Sequence, residues 1–342
     1  MDTDHKKDFP LWDFSDHRIQ SLVMKVTEAC NLGCTYCYRK GMVRSSEQMS
    51  LLTVSRAIES YARWIDRSGD HTRPIALIWH GGEPLLCGTE YYEAIFEIEA
   101  EFKARGYRFI NAFQTNGTLI DDAWAEFFLK HDVLVGISLD GPRRVHDIHR
   151  KYPTGASSFE RTLRAARCLA GHGLPCSAIS VITNETSPHL CESLDFFVDE
   201  GFKTVDFIPC FFQGDASSLD SDNYLRAMIE LYDHWKSRHH DAICVRFLDD
   251  VEQKIMRKEA ATGCELAGCC GENLSINMHG DVYPCEYTSV FLKWKLGNVR
   301  EKDLADMSRC GMALGCDPYC EARLNLIQHI RTCLSEPSEQ VA

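Results

Sequence analysis

"SLVMKVTEACNLGCTYCYRK", residues 21–40, runs a short apolar and β-branched stretch directly into three cysteines separated by three and two residues. The first seven residues read as a β-strand. Cys30, Cys34 and Cys37 cannot all face one side of a helix or a strand, so they belong to a loop that can wrap around a common centre. Thiolates are soft ligands, suited to zinc or to iron–sulfur clusters. A structural zinc asks for four protein ligands and only three are at hand; His80 is remote in sequence and reads as an ordinary strand-end residue. A cubane held by three thiolates keeps one iron open to a further ligand, which makes such a site catalytic. If the three were merely buried small hydrophobes, their clustering would be a rare coincidence even with 17 cysteines in 342 residues.

Outward from that strand one pattern repeats: an apolar run, a polar turn, then helical periodicity. Strand candidates cover 21–27, 75–81, 108–117, 133–141, 176–183 and 204–211. Helix candidates near 53–67, 89–105, 121–130, 158–172 and 187–200 carry apolar residues at i, i+3 and i+4. Such alternation reads as successive βα units around a parallel sheet. "HGGEP" (80–84), "QTNG" (114–117) and "SLDGP" (138–142) end three of the strands, and in parallel α/β folds ligand sites gather at carboxyl ends of strands. A further helix is expected over about 221–239, and after about residue 260 the composition turns to dense Cys and Gly without a βα rhythm. The chain therefore divides near 240–260: an N-terminal extension (1–20), a core (21–240), a linker helix with a Cys-rich domain (241–334) and a tail, "SEPSEQVA" (335–342), expected to be disordered.

Composition narrows the function. The chain is 44% hydrophobic and 25% charged, as folded proteins are, and 50 acidic against 37 basic residues give a net charge of −13. That balance disfavours binding to nucleic acid phosphates, so no nucleic-acid partner is expected. No apolar run reaches the length of a membrane span and the acidic N-terminus lacks an apolar targeting segment, so no membrane partner and a cytoplasmic location are expected. In a reducing compartment this many cysteines point to metal or redox chemistry rather than to a disulfide framework.

The pattern C-x3-C-x-aromatic-C after a first strand, "CNLGCTYC", resembles the signature of the radical SAM superfamily. The resemblance implies an α/β fold, a partial (β/α)6 TIM-like barrel. It implies that Cys30, Cys34 and Cys37 hold a [4Fe-4S] cluster whose open iron is chelated by S-adenosylmethionine. An electron from the reduced cluster then splits the sulfonium, and a 5'-deoxyadenosyl radical takes a hydrogen atom from the substrate. By the same resemblance Tyr36 lies against the adenine. Gly81, Gly82, Glu83 and Pro84 resemble the GGEP motif that holds the methionine amino group: the glycines permit close backbone approach and Glu83 offers an acceptor. Asn116, Ser138, Asp140 and Arg150 are further candidate cofactor contacts, and the stretch 138–163 resembles the matching segment of radical SAM enzymes that modify peptides and proteins. His146 and His149 within it read as polar surface residues.

A second array, Cys264, Cys269, Cys270, Cys285, Cys310, Cys316, Cys320 and Cys333, follows in the C-terminal part. Its spacing resembles the SPASM domain, which binds auxiliary iron–sulfur clusters behind the radical SAM core. The resemblance assigns Cys264, Cys270, Cys285 and Cys320 to a first auxiliary cluster and Cys310, Cys316 and Cys333 to a second. That second site departs from the pattern, because Met307 stands where a cysteine is expected; Asp303, Asp306 or Cys269 are possible substitutes, or the iron stays open. A zinc ribbon is the alternative reading of this region. "VYPCEYTSVFLKWKLGNV" (282–299) resembles anaerobic sulfatase-maturating enzymes, in which an acidic residue after the cluster cysteine serves as base. Glu286 holds that place, as glutamate where aspartate is expected. The remaining Cys87, Cys168, Cys176, Cys191, Cys210 and Cys244 read as core thiols.

Taken together, the resemblance implies a radical SAM oxidoreductase that removes hydrogen from a residue of a peptide or protein, giving oxidation or a cross-link. Its expected cofactors are the [4Fe-4S] cluster, S-adenosylmethionine and one or two auxiliary clusters, with a flavodoxin- or ferredoxin-type electron donor. Formylglycine formation of the sulfatase type is the narrower alternative. A non-catalytic iron–sulfur carrier is the alternative from another class, disfavoured because a carrier has no use for "GGEP".

Overall fold

The computed structural model describes residues 19–39, 45–210, 218–257, 272–290, 294–307 and 320–335. Expectations for the N-terminal extension up to residue 18 and for the tail beyond residue 335 lie outside them. Six parallel strands stand side by side in chain order: β1 (Ser21–Thr27), β2 (Ile75–Gly81), β3 (Phe109–Thr115), β4 (Leu134–Ser138), β5 (Cys176–Ile182) and β6 (Thr204–Pro209). Helices α1 (Leu51–Ser68), α2 (Thr89–Ala104), α3 (Asp122–Lys130), α4 (Arg143–His149), α5 (Phe159–Gly171) and α6 (Leu190–Asp199) connect them, α4 and α5 sharing one connection. The chain continues through α7 (Ser221–Arg238), a short β7 (Cys244–Val245) beside β6, and α8 (Arg246–Arg257). This is the expected parallel α/β architecture, with every anticipated strand and helix present.

Local signals account for the element ends. Ser50 caps α1 by accepting from Thr53 N, and Gly69 ends it in the left-handed conformation at φ 72°. Asp121 and Asp220 cap α3 and α7 in the same way. α1 buries Val54, Ala57, Ile58, Tyr61 and Ile65, the one-sided spacing of a helix laid on a sheet.

The two-residue period of the strands decides what enters the site. Leu22, Met24 and Val26 of β1 join the core beneath the helices, as do Ile75, Leu77 and Trp79 of β2. Val23, Lys25 and Thr27, with Ala76, Ile78 and His80, therefore face the other side of the sheet. Lys25 and His80 are register partners near the carboxyl ends of their strands.

The C-terminal segment departs from expectation. It contributes strands: β8 (Asn273–Ile276) pairs parallel with β1, and β9 (Asp281–Tyr283) and β10 (Gly297–Asn298) follow antiparallel. β1 thus lies between β2 and β8, which is why all seven of its residues are buried. A short helix, Leu304–Met307, packs on α1, and the helix Cys320–Ser335 packs on α7 and α8. Among the described residues no helix is long and apolar enough to cross a membrane.

Candidate active site

Beyond Lys25 the register of β1 shifts and the chain turns into the cysteine loop. The loop after β2 is zipped to its entrance: Gly82 N donates to Thr27 O at 2.8 Å and Glu83 N to Ala29 O at 2.7 Å. This contact explains the paired glycines. Gly81 has φ 140°, and a Cβ on Gly82 would sit 2.0 Å from Ala29 O. Only glycine lets the two backbones come so close. The opposite side of the loop is held by the end of α4: Gly33 N donates to Lys151 O at 2.8 Å and Thr35 N to His149 O at 3.2 Å. His149 is buried, with Nδ1 2.5 Å from Thr35 Oγ1 and Nε2 2.9 Å from Thr183 Oγ1. His146 is buried as well, with Nε2 2.8 Å from Ser158 Oγ, and burial pushes it down to about 3. The reading of these histidines as surface residues is corrected: they are internal struts, and His149 is one of the cysteine loop's anchors.

Two buried carboxylates organise the floor. Glu83 accepts from Leu85 N at 3.1 Å, Thr115 Oγ1 at 2.6 Å and Asn116 N at 2.8 Å. With no cation among these partners, burial pushes it up to about 7. Asn116 reaches back with Nδ2 to Asn31 Oδ1 at 2.8 Å, which ties the end of β3 to the cysteine loop. Asp140 accepts from Tyr36 Oη at 2.7 Å and Val181 N at 3.0 Å, and Arg150 Nε lies 3.0 Å from its Oδ2. The Arg150 guanidinium also sits 5.3 Å from the centre of the Tyr36 ring. Ser138, at the end of β4, accepts from Gln114 Nε2 at 3.0 Å. Gly82, Glu83, Asn116, Asp140 and Arg150 therefore converge on the loop that carries Tyr36, whereas the bond of Ser138 is to Gln114 of β3; the carboxylates of Glu83 and Asp140 are engaged by the protein itself.

The thiols suit an iron–sulfur centre. Cys30, Cys34 and Cys37 are half-buried and unbridged. Burial pushes the Cys34 thiol up to about 12, opposed by the nearby Arg150. Such a thiol gives up its proton readily only to a bound metal centre, and three soft donors in one loop match a cluster held by three cysteines.

Above the loop lies a polar cluster built around Glu286. Its Oε1 accepts from Tyr38 Oη at 3.1 Å, lies 3.7 Å from Lys25 Nζ, and is 3.1 Å from His80 Nδ1 in a contact without hydrogen-bond alignment. Lys25 also donates to Tyr38 Oη at 2.9 Å and to Ser289 Oγ at 2.5 Å. Burial works against the Glu286 carboxylate, but His80, Lys25 and the Tyr38 hydroxyl together outweigh it and hold the carboxyl below its ordinary range. Burial lowers both Lys25 and His80. The Glu286 side chain keeps 29% exposure against 3% for Lys25, so the carboxylate is partly open while its lysine partner is buried. Lys25, Tyr38 and His80 were not foreseen as its partners. The one sequence signal was a lysine inside an otherwise apolar strand.

Much of the second cysteine array, Cys264, Cys269, Cys270, Cys310 and Cys316, lies outside the described residues, as does the side chain of Cys320. Cys285 follows β9; its Sγ donates to Thr288 Oγ1 at 3.6 Å, and that hydroxyl donates to Cys285 O at 2.9 Å. Cys333 Sγ lies 3.6 Å from His329 Nε2, itself 2.8 Å from Asp233 Oδ1 on α7. Met307 is wholly buried in the core against Gly297. Asp303 is engaged by Arg63 at 2.6 Å and Arg67 at 3.2 Å, and Asp306 by Arg67 at 3.5 Å. Of the supposed core thiols, Cys87 and Cys210 are buried; Cys168, Cys176, Cys191 and Cys244 are only partly so.

The profile of the radical SAM superfamily matches residues 24–197, from β1 through α6. The chain belongs to the radical SAM superfamily. A second profile, SPASM, described as an iron–sulfur cluster-binding domain, matches residues 268–312. This radical SAM enzyme is 28% identical over 295 residues to a cysteine-type anaerobic sulfatase-maturating enzyme of Clostridium perfringens (84% of this chain, 79% of that one). It is also 28% identical over 340 residues to a serine-type anaerobic sulfatase-maturating enzyme of Klebsiella aerogenes (91% and 82%). A solved structure described as native anSMEcpe with bound AdoMet and Cp18Cys peptide superposes with a TM-score of 0.79 at 24% identity, covering 92% of this chain and 97% of that one. The partial-barrel fold and a C-terminal SPASM domain follow, and the cofactors are those of the superfamily: iron–sulfur clusters and S-adenosylmethionine.

Proposed function

We propose that this enzyme oxidises a cysteine or serine side chain of a peptide or protein substrate, the reaction type of sulfatase maturation. The observation that carries the reading is Glu286, an ionised carboxylate next to Cys285 and hydrogen-bonded to the residue after Cys37. The printed names of the two relatives and the peptide in the superposed structure support a peptide substrate.

Cys30, Cys34 and Cys37 would hold the cluster that, with S-adenosylmethionine, would supply the radical chemistry for removing one hydrogen atom from the substrate carbon, and an auxiliary cluster would supply an acceptor for the remaining electron. Glu286 accepts the proton of the substrate's hydroxyl or thiol, and Lys25 and Tyr38 stabilise it as a base. Serine thereby becomes an aldehyde; cysteine becomes a thioaldehyde that water hydrolyses. Tyr36, Gly81, Gly82, Pro84, Asn116, Ser138 and Arg150 frame the cofactor, with Glu83 and Asp140 positioning them. Cys264, Cys270, Cys285 and Cys320 hold the first auxiliary cluster, and Cys310, Cys316 and Cys333 contribute to a second. A flavodoxin- or ferredoxin-type donor supplies the reducing electron, and the unbridged described cysteines suit a cytoplasmic setting. The burial of Met307 favours one second reading, peptide cross-linking, because it removes an expected ligand from the second auxiliary site.

The test is anaerobic reconstitution followed by incubation with S-adenosylmethionine, dithionite and peptides carrying cysteine or serine. 5'-Deoxyadenosine together with a hydrazide-reactive product supports the proposal. Loss of two hydrogens without carbonyl reactivity indicates a cross-link. Persistent absence of 5'-deoxyadenosine leaves only an electron carrier and refutes it.

A further inference from the structure

On the outer helical layer, Asp195 of α6 meets His234 and His239 at the end of α7. The Nε2 atoms of both histidines lie 2.6 Å from the same oxygen, Asp195 Oδ1. Their ring centres are 5.5 Å apart with the planes at 61°, and the three ligand atoms all fall within 4.8 Å of one another. The cluster is far from the cysteine loop in the fold. That loop follows the carboxyl end of β1, whereas α7 leads to β7, whose Cys244 pairs with Thr204 at the start of β6. His239, the C-terminal cap of α7, therefore sits toward the amino ends of the strands, and its N–H is fixed to Trp235 O at 2.9 Å.

We propose that Asp195, His234 and His239 form a mononuclear site for a divalent transition cation of the zinc class, joining α6 to α7. Two imidazoles and a carboxylate are a donor set that zinc and its first-row neighbours accept, with water free to complete the shell. A hydrogen-bonded staple between the helices needs one imidazole. Two imidazoles converging on one oxygen, both shorter than the usual N–H···O distance, have instead the arrangement of a ligand set. Around a tetrahedral ion with ligand bonds of about 2.0–2.1 Å, adjacent donor atoms stand roughly 3.3 Å apart. Each contact here need open by less than about 1 Å for the ion to enter. The imidazoles are the sheltered partners, at 16% and 19% exposure, and Asp195 at 43% is the one able to swing. On binding, both Nε2 atoms offer lone pairs to the metal and their protons reside on Nδ1.

The experiment uses the cluster-loaded enzyme, dialysed anaerobically against micromolar zinc chloride. Wild type is expected to retain one zinc per chain more than a His234→Gln/His239→Gln double variant, at equal iron content. Zinc is expected to raise the thermal midpoint of wild type alone, and its X-ray absorption to give a nitrogen and oxygen shell near about 2.0 Å rather than sulfur near about 2.3 Å. Equal zinc in both proteins, or a sulfur-dominated shell in wild type, overturns the proposal. Should the double variant fail to fold, Asp195→Asn keeps the shape and an acceptor oxygen. It is expected to weaken zinc binding at least about tenfold, and unchanged binding refutes the site.

Discussion

Glu286→Gln separates radical generation from product formation. The amide keeps the size of the side chain and an oxygen for the Tyr38 hydroxyl, 3.1 Å away, but loses the charge and the capacity to take a proton. Its structural cost is bounded by Lys25. Two unit charges about 4 Å apart at an effective dielectric of about 20 attract by about 4 kcal/mol, and the pair here stands at 3.7 Å. Three circumstances reduce that figure: Glu286 is partly solvated, Lys25 keeps its bonds to Tyr38 and Ser289, and a lysine already lowered by burial can shed its proton. A destabilisation of about 1–2 kcal/mol is expected. The chemical cost is larger, because a positioned general base contributes about 10²–10⁴-fold. The assay counts 5'-deoxyadenosine and oxidised peptide in the same anaerobic reaction. Cofactor cleavage is expected to persist while product per 5'-deoxyadenosine falls by about 100-fold or more. Glu286→Asp, whose carboxylate retreats by about one methylene, should fall between the two. An unchanged ratio in Glu286→Gln would refute the role of this carboxylate as base.

Other outcomes follow from the same geometry. Glu83 binds its proton more tightly when folded, being raised to about 7 from 4.5, so the folded state holds the extra proton and stability falls as pH rises through about 4.5–7, by about 3 kcal/mol in total. The difference in thermal midpoint between wild type and Glu83→Gln should therefore shrink across that window; a flat difference contradicts it. Asp140→Asn strands the buried Arg150 and should destabilise by about 3–5 kcal/mol, read as a lowered thermal midpoint with weakened S-adenosylmethionine cleavage. Gly82→Ala places a methyl group 2.0 Å from Ala29 O, and the strain should exceed about 3 kcal/mol; near-normal soluble yield and cofactor turnover would show that the two loops need not touch. Cys34→Ala should abolish 5'-deoxyadenosine while leaving auxiliary iron measurable by mass spectrometry.

The barrel was legible because its signals are local. The apolar runs 21–27 and 75–81 match β1 and β2 to the residue, and helix ends fell within a few residues because capping side chains and terminal glycines are written in the chain. β8 escaped because it is four residues long and its partner is 252 positions away, with Ser21 Oγ donating to Asn273 Oδ1. The site followed the same division. The cysteines and "GGEP" have spacing that can be read in one dimension. Lys25 and His80 come together because a pleat turns alternate residues of β1 and β2 to one face, and Tyr38 and Glu286 join them from the cysteine loop and from the turn after β9. The histidines at 146 and 149 were misjudged for the opposite reason: a short polar helix looks like surface until α5 and the cysteine loop close over it.

The ladder between β1 and β8 bears on how such enzymes can be re-engineered. Because the backbone that presents Glu286 is woven through β9 and β8 into the strand that leads to Cys30, the distance between Glu286 and the cysteine loop is dictated by amide pairing rather than by the docking of separable modules. Exchanging the C-terminal portion for that of another family member would cut a continuous sheet. A chimera that moves β8 through β10 as a unit, and preserves the pairing of Ser21 with Asn273, is the one that keeps its chemistry aligned.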